Sequence, residues 1–496
     1  MRCLLTRFIR TMQSNAKTLI FQNACTKSRG RVTKTSRTSG AVPNQVYVPV
    51  NFKYQLLSVN LTGKVDFTNV GLMGHSRGGQ GVRAAYNLYR NSSIDPRGTI
   101  SPTWLQRIPG MNIKGIFEIG PTDFPLQPPI GGSNVQYLNG DGTAWNVLLP
   151  MCDGDVYNLQ GVRVFDRMMA YTGDYSPVPN ESPATQKSTY SVWGANHNFF
   201  NTEWQQTDSP GCKGLNNNPL FPIPVTDGSG SPNQKTTGSA SVLAFFRANV
   251  GTSPSTSFNQ NFNPRYDHPG VITSIAPPVR IDRGFTPSPN LSITKVVFDF
   301  PASLPSNSSY VYTYPEVAFN NASAIPEQDY VTNPSPCYDA NGNPMPCPTP
   351  SPIAQVLTVG DVKWETADCN NYLQVQWTPT GESISGYQTL DFRVSRQIDN
   401  VRNSSDSTNF QIQLIAGSGS STGAAVSLNK YLNLTGPVGL DDGSLDGFLH
   451  PILQTVRIPL SDFIGANLSN VRGVRFVFSD TAKGAIYLAN IRLSNQ

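Results

Sequence analysis

Four residues of this chain have the types and spacing that acyl transfer would need. The hexapeptide "GHSRGG" contains Gly-x-Ser-x-Gly, with Ser76 between Gly74 and Gly78. A serine hydroxyl is a weak nucleophile until a base takes its proton. The chain holds only four histidines, so the search for that base is short. His75 sits inside the turn beside Ser76, where its ring should point away, and it reads as structural. His268 falls in a Pro/Ser/Asn-rich stretch and His450 in a region of strand-like segments. His197, in "SVWGANHNFFN", directly follows a strand-like run and is the candidate base. A base of this kind needs a carboxylate to fix its tautomer and stabilise the imidazolium. "NVLLPMCDGDV" sets Asp153 and Asp155 just past an apolar run. Asp153 lies nearer the end of that run and is followed by Gly154, so it is the first choice. Asp155 is the alternative acid, and Asp123 in "IFEIGPTDF" is a third candidate.

Such a serine works only if the chain around it is built for the purpose. "NVGLM" is a short apolar run of the length of a buried strand, and "QGVRAAYNLY" places Val82, Ala85 and Tyr89 at helical spacing. Strand, sharp turn and helix form the setting of a nucleophile elbow. The flanking glycines are then expected to let strand and helix close up around the serine. Further along, "NIKGIFEIGPTDF", "AWNVLLPMC" and "QKSTYSVWGA" read as buried strands and "LQGVRVFDRMMAY" as a helix. "SASVLAFFRANVG" reads as a closing helix that offers Val242, Leu243, Phe245 and Phe246 for one face and Gly251 as a stop. Alternation of this kind argues for a parallel sheet covered by helices.

In the order "GHSRGG", "LPMCDGDV", "GANHNFF", the chain resembles the α/β-hydrolase superfamily, in its secreted serine esterase, lipase and polyester-hydrolase branch. The resemblance covers roughly residues 47–250. It implies a doubly wound α/β fold and ester hydrolysis through an acyl-enzyme. Ser76 would be the nucleophile, His197 the base and Asp153 the acid, with the backbone N–H of Arg77 as an oxyanion donor. It implies no metal and no cofactor. The family's second oxyanion donor follows an earlier strand, often at a His-Gly pair. Only 75 residues precede Ser76, they contain no His-Gly, and "QVYVPVNF" is their one strand-like run. The α/β-hydrolase domain is therefore expected to be N-terminally incomplete. The competing reading is a catalytically degenerate hydrolase domain that serves as a surface or carbohydrate-binding protein.

Beyond residue 292 every signal is strand, as in "YLQVQWTP", "YQTLDFRVSR", "NFQIQLIAG", "VRGVRFVFS" and "GAIYLANIRLS". Strict alternation between turn-rich breaks indicates an all-β sandwich. This region resembles the jelly-roll modules appended to secreted hydrolases. Such a module implies a polysaccharide or insoluble polymer as partner, and Trp364 and Trp377 are candidates for stacking on sugar rings, although core packing is the commoner fate of such residues. The expected organisation is a basic segment (1–46), an α/β-hydrolase domain (47–252), a Pro/Ser/Asn-rich linker (253–291) and a jelly-roll-like sandwich (292–496). On this reading the sandwich folds alone, and its loss leaves hydrolysis of a soluble ester intact.

Composition sets the remaining bounds. The net charge of +5 is misleading, because eleven Lys and Arg precede the first acidic residue, Asp66, and leave 26 basic against 32 acidic residues beyond it. The excess is confined to the N-terminus, so nucleic acid is not expected as a partner. That basic, acid-free start resembles a transit peptide in composition but reads better as a mis-assigned start. No run of 18 apolar residues is present, so no membrane span is expected. With 14% charged residues and 40 prolines, the chain suits an extracellular or cell-surface setting. Among seven cysteines, Cys152 with Cys212 and Cys337 with Cys347 are candidate disulfides, with Cys369 left over.

Overall fold

The computed structural model describes residues 66–90, 110–123, 142–157, 159–169, 186–203, 212–213, 231–276, 278–287, 294–298, 311–313, 317–322, 337–338, 344–345, 359–397, 400–436, 439–440 and 452–495. The basic segment, the run "QVYVPVNF", His450 and Cys347 lie outside them.

Strand β1 (Val70–His75) leads through Ser76 into helix α1 (Arg77–Arg90). Strands β2 (Ile113–Ile119), β3 (Ala144–Pro150) and β4 (Lys187–Val192) follow, with helix α2 (Gly161–Met169) between β3 and β4. Helix α3 (Pro232–Asn249) comes next, then strand β5 (Ile281–Thr286). The five strands form one sheet in the order β1-β2-β3-β4-β5. The first four are parallel and β5 closes the edge antiparallel to β4. Alternate side chains of a strand point to opposite faces. Ile116, Trp145, Val147 and Leu149 accordingly pack against Val82 and Tyr86 of α1 and Phe165 of α2. Phe117, Ile119, Leu148 and Tyr190 pack the other way, against Ala244 and Phe245 of α3. Both faces are covered, which is why β3 and β4 are buried at every position.

Helix α3 begins seven residues before the expected "SASVLAFF" run. Ser231 caps it by accepting a hydrogen bond from the Gln234 backbone N–H at 3.2 Å, and Pro232 occupies its first turn. Of the four apolar residues expected on one face, Phe245 is fully buried while Leu243 is 60% exposed. The helix stops before Gly251, whose φ of +116° suits glycine.

The expected linker at 253–291 is not a linker. It supplies β5 and the buried side chains Phe262, Ile272 and Phe285, which pack in the core between the sheet and α3. Low periodicity hid it, because its apolar residues are spaced by turns. Polar contacts fix it as well. Asn259 Oδ1 accepts from Gln186 Nε2 at 2.8 Å, and the Arg283 guanidinium donates to the carbonyls of Asn261, Asn263 and Tyr266. His268 lies edge-on to Tyr190, with Nδ1 3.2 Å from the phenol oxygen. Burial, helped by the Arg283 charge, pushes His268 down from 6.5 to about 3. A histidine held neutral in the fold must take up a proton on unfolding. Its contribution is therefore fully present above pH 6.5 and is lost as pH falls from there toward 3. The expected slope is up to about 1.4 kcal/mol per pH unit in that window. Urea midpoints of wild type and His268→Gln, compared from pH 7 to pH 4, check it; parallel curves would refute it.

The C-terminal region is a two-sheet β-sandwich. Its strands are β6 (Thr294–Phe298), β7 (Val311–Thr313), β8 (Val317–Ala322), β9 (Val359–Trp364), β10 (Tyr372–Gln376), β11 (Thr389–Arg396), β12 (Gln411–Ala416), β13 (Ser421–Ser427), β14 (Gln454–Pro459), β15 (Val471–Val477) and β16 (Gly484–Ser494). One sheet runs β14-β11-β16-β9-β8, with β6 paired to the C-terminal half of β16, and the other runs β13-β12-β15-β10-β7. Between them lies an apolar core built from alternate residues such as Leu390, Phe392 and Val394 of β11 and Val474 and Phe476 of β15. Trp364 belongs to that core. It is fully buried and stacks on Phe478 with ring centroids 4.2 Å apart, so it offers no face to a sugar. Trp377 is half-buried against the same core.

The face of β11 turned away from that core does not meet water either, and β11 is buried at all eight positions. The α/β unit covers it. Arg393 reaches across to Asp166 of α2 at 2.8 Å, both nearly fully buried, with its guanidinium over the Phe165 ring. Arg457 of β14 binds Asp391 Oδ1 at 3.1 Å and Asn263 Oδ1 at 3.0 Å, and lies over Phe285 of β5. The Phe285 backbone N–H donates to Thr455 Oγ1 at 3.0 Å. The two units thus share a buried, charged interface.

Candidate functional site

Ser76 sits at the C-terminal end of β1 with φ of +59°. A non-glycine residue in this left-handed region carries strain of about 1–3 kcal/mol, and such strain collects at functional sites. Its backbone is held by its own N–H, which donates to the Ile119 carbonyl at 2.8 Å at the end of β2. The steric need for glycine differs from the motif's symmetry. A Cβ on Gly74 would meet the Gly78 carbonyl oxygen at 2.0 Å, so Gly74 is obligatory. A Cβ on Gly78 would meet nothing within 4 Å. The second close approach is at Gly79, whose Cβ would meet Pro121 Cβ at 2.5 Å. Arg77 opens α1, and a helix's first backbone N–H groups have no partner within the helix.

Asp153 and His197 come from the loops that follow β3 and β4, two and three strands along the sheet from β1. His197 Nδ1 stands 2.7 Å from Asp153 Oδ2, with both side chains at most 1% exposed. The other carboxylate oxygen, Oδ1, accepts the backbone N–H groups of Asp155 at 2.9 Å and Val156 at 2.6 Å. All of Asp153 is thereby committed to one orientation. Gly120, at the end of β2, has φ of +46°, and a Cβ there would stand 3.1 Å from both Asp153 Oδ2 and His197 Nδ1. The turn that receives the Ser76 N–H therefore also makes room for the Asp–His pair. Gln234 braces the histidine loop by accepting the Asn196 N–H at 3.0 Å and donating to the Asn196 carbonyl at 2.7 Å.

His75 packs beside the pair, with its ring centroid 4.4 Å from that of His197. Burial, followed by the positive charge His197 can carry, holds it well below its usual range, so it stays neutral. Its hydrogen bond to the His197 backbone makes it a brace, as its place in the turn suggested. Asp155, the alternative acid, is not in the buried pair. Its side chain is 68% exposed and its Oδ2 lies 3.5 Å from the other ring nitrogen, Nε2.

Asp123, the third candidate acid, is elsewhere. It pairs with Arg83 of α1 at 2.9 Å, and the Arg83 Nε binds Glu118 of β2 at 2.8 Å. Trp145 Nε1 donates to Glu118 Oε1 at 2.7 Å, and Gln160 accepts the Asp123 N–H at 2.6 Å. All of Arg83, Glu118 and Trp145 are fully buried. Desolvation raises Glu118 to about 6 against the pull of Arg83. This network ties α1 to β2 and to the Thr122–Asp123 turn. No single residue of it stood out in the sequence. The available signal was an arginine six positions into a helix whose neighbouring strand ends in "FEI". Removing one member of a buried ion pair strands the others, which costs about 3–5 kcal/mol. Arg83→Met should lower stability by that much, read as a shift in urea midpoint, and a change below 1 kcal/mol would contradict it.

Among the described residues no group of His, Cys, Asp and Glu could hold a metal ion, and no helix is long and apolar enough to cross a membrane. Cys152 is disulfide-bonded and Cys369 carries a free, exposed thiol.

No protein-family profile matches the chain, and no curated protein matches it. Solved structures that resemble part of it include carbohydrate-binding modules. The family 11 module of a cellulosomal cellulase of Clostridium thermocellum is 13% identical, covering 40% of this chain and 93% of that one at a TM-score of 0.23. A family 30 carbohydrate-binding module is 12% identical, covering 41% and 88% at a TM-score of 0.26. An exo-β-agarase is 13% identical, covering 40% of this chain and 24% of that one at a TM-score of 0.23.

Proposed function

We propose that the chain is a serine hydrolase of the α/β-hydrolase type that cleaves carboxylic esters through an acyl-enzyme. The observation that carries the reading is the buried Asp153–His197 pair at 2.7 Å, set two and three strand ends along the sheet from a serine held at positive φ. Serine, acid and histidine also occur in the chain order that this fold requires.

The chemistry follows from which atoms are committed. Asp153 holds Nδ1–H, so Nε2 carries the lone pair and is the atom that acts on Ser76. The Ser76 Oγ adds to the ester carbonyl carbon while its proton passes to Nε2. The carbonyl π pair moves onto oxygen, where the Arg77 backbone N–H donates to the oxyanion. Collapse expels the alcohol, which takes the proton from Nε2, and leaves the acyl group on Ser76. Water then adds to the acyl carbon as its proton passes to Nε2, and collapse expels Ser76 Oγ, which takes that proton back as the acid is released. Asp153 stays ionised throughout and stabilises the imidazolium.

In this reading the sandwich holds the enzyme on a polysaccharide or insoluble polymer. Trp364 is excluded from that role. What supports it is a polar row across adjacent strands, in which Arg475 binds Gln374 at 2.6 Å and lies 4.1 Å over the Tyr372 ring. The disulfide at Cys152 supports an oxidising, extracellular compartment.

A fluorophosphonate probe tests the catalytic reading, since it labels only an activated serine. Stoichiometric labelling mapped to Ser76 by mass spectrometry is the expected result. A folded protein that takes up no label would be left as a binding protein.

A further inference from the structure

We infer that Asp155 selects esters whose alcohol portion carries a positive charge. The inference rests on the serine-hydrolase reading, because it uses the direction of proton delivery. With Nδ1 bound to Asp153, Nε2 is the nitrogen that returns a proton to the departing alcohol. Whatever stands beside Nε2 on the solvent side therefore stands beside the leaving group. That group is the Asp155 carboxylate, 3.5 Å from Nε2.

Its setting fits recognition better than support. The backbone of Asp155 is fixed by its N–H bond to Asp153 Oδ1 at 2.9 Å, so the side chain always starts from the same point. The side chain itself is 68% exposed, so it can turn from Nε2 toward an incoming group without opening the fold. Among the described residues its one ion-pair partner is His197. Among the described neighbours of His197, Asp153 is a second carboxylate and burial holds His75 well below its usual range. Before Ser76 is acylated, while His197 is neutral and the alcohol is still part of the ester, Asp155 is the carboxylate beside Nε2. An ammonium on the alcohol would be drawn to it and an anionic alcohol repelled.

The test compares a choline ester with the 3,3-dimethylbutyl ester of the same acid, its uncharged carbon isostere. The readout is the ratio of the two kcat/KM values, so a general loss of activity cancels. Wild type should prefer the cation by about two- to fivefold at low salt, the size expected of a charge pair at a solvent-exposed site. The preference should shrink as added salt screens it. Asp155→Asn should bring the ratio close to one, and Asp155→Lys should reverse it. A ratio that is the same in wild type and both variants would overturn the inference while leaving the serine-hydrolase reading intact. Failure of Ser76 to take the fluorophosphonate label would remove that reading, and this inference with it.

Discussion

Ser76→Ala will lower kcat on a soluble p-nitrophenyl ester by about 10⁴-fold or more, and His197→Ala will do nearly the same. The two act as a unit, since the hydroxyl is useless without Nε2 and Nε2 has no proton to take without the hydroxyl. The double variant should therefore be scarcely worse than either alone. Asp153→Asn should cost about 10³–10⁴-fold, because an amide in place of the carboxylate favours the wrong imidazole tautomer. The structure ranks the two aspartates on geometry. Asp153 is buried on Nδ1 at 2.7 Å, whereas Asp155 is exposed near Nε2 at 3.5 Å. On an uncharged ester, Asp155→Asn should consequently be much milder than Asp153→Asn. Steady-state kinetics on these five variants decide the matter. Native turnover in Ser76→Ala would sink the assignment of the nucleophile, and the opposite ranking of the aspartates would move the acid to Asp155.

The second large effect concerns the sandwich. A fragment that ends at residue 291 will fail to fold into a stable α/β unit, in contrast to the independence suggested by the sequence pattern. Asp166 would lose Arg393, its partner at 2.8 Å, and would be left on an exposed face of α2. Phe285 would lose both the Thr455 hydroxyl on its backbone N–H and the covering Arg457 guanidinium. Ile452, which packs in the core beneath α1 and α2, would be gone as well. Ending at residue 270 is worse, because it removes β5 from the sheet. Arg393→Met in the full chain isolates one part of this effect. It leaves Asp166 buried without the Arg393 guanidinium, and should cost about 3–5 kcal/mol, the usual penalty for breaking a buried ion pair from one side. Thermal unfolding of the fragment and the variant gives the answer. A fragment with a cooperative transition near that of the full chain, and undiminished ester turnover, would show that the units are independent after all.

What the sequence by itself determined was local. Strand, turn and helix around Ser76 could be read because each is fixed by residues close in the chain: apolar residues in β1, helical spacing in α1, and a glycine at 74 that nothing larger can replace. Histidine was scarce enough for His197 to be singled out, and chain order narrowed the acid to the loop after β3. The alternating strands beyond residue 292 announced a sandwich because period-two patterning reports one apolar face per strand.

The tertiary structure decided everything that depended on what meets what. Asp153 and Asp155 are two residues apart in one loop, and only the folding of that loop onto His197 buried one against Nδ1 and left the other exposed to solvent near Nε2. Asp123 looked like a candidate acid until Arg83, 40 residues away, claimed it. The 253–291 stretch looked like a linker because its burial comes from distant partners, through β5 pairing with β4 and Phe262 packing under α3. The polar faces of β11 and β14 gave the pattern of strands with one side in water. Patterning records which side chains are polar; it does not record whether water or another protein surface satisfies them. Here Arg393 and Arg457 are satisfied across the interface by Asp166 and Asn263, so the face that reads as solvent is where the two halves of the molecule join.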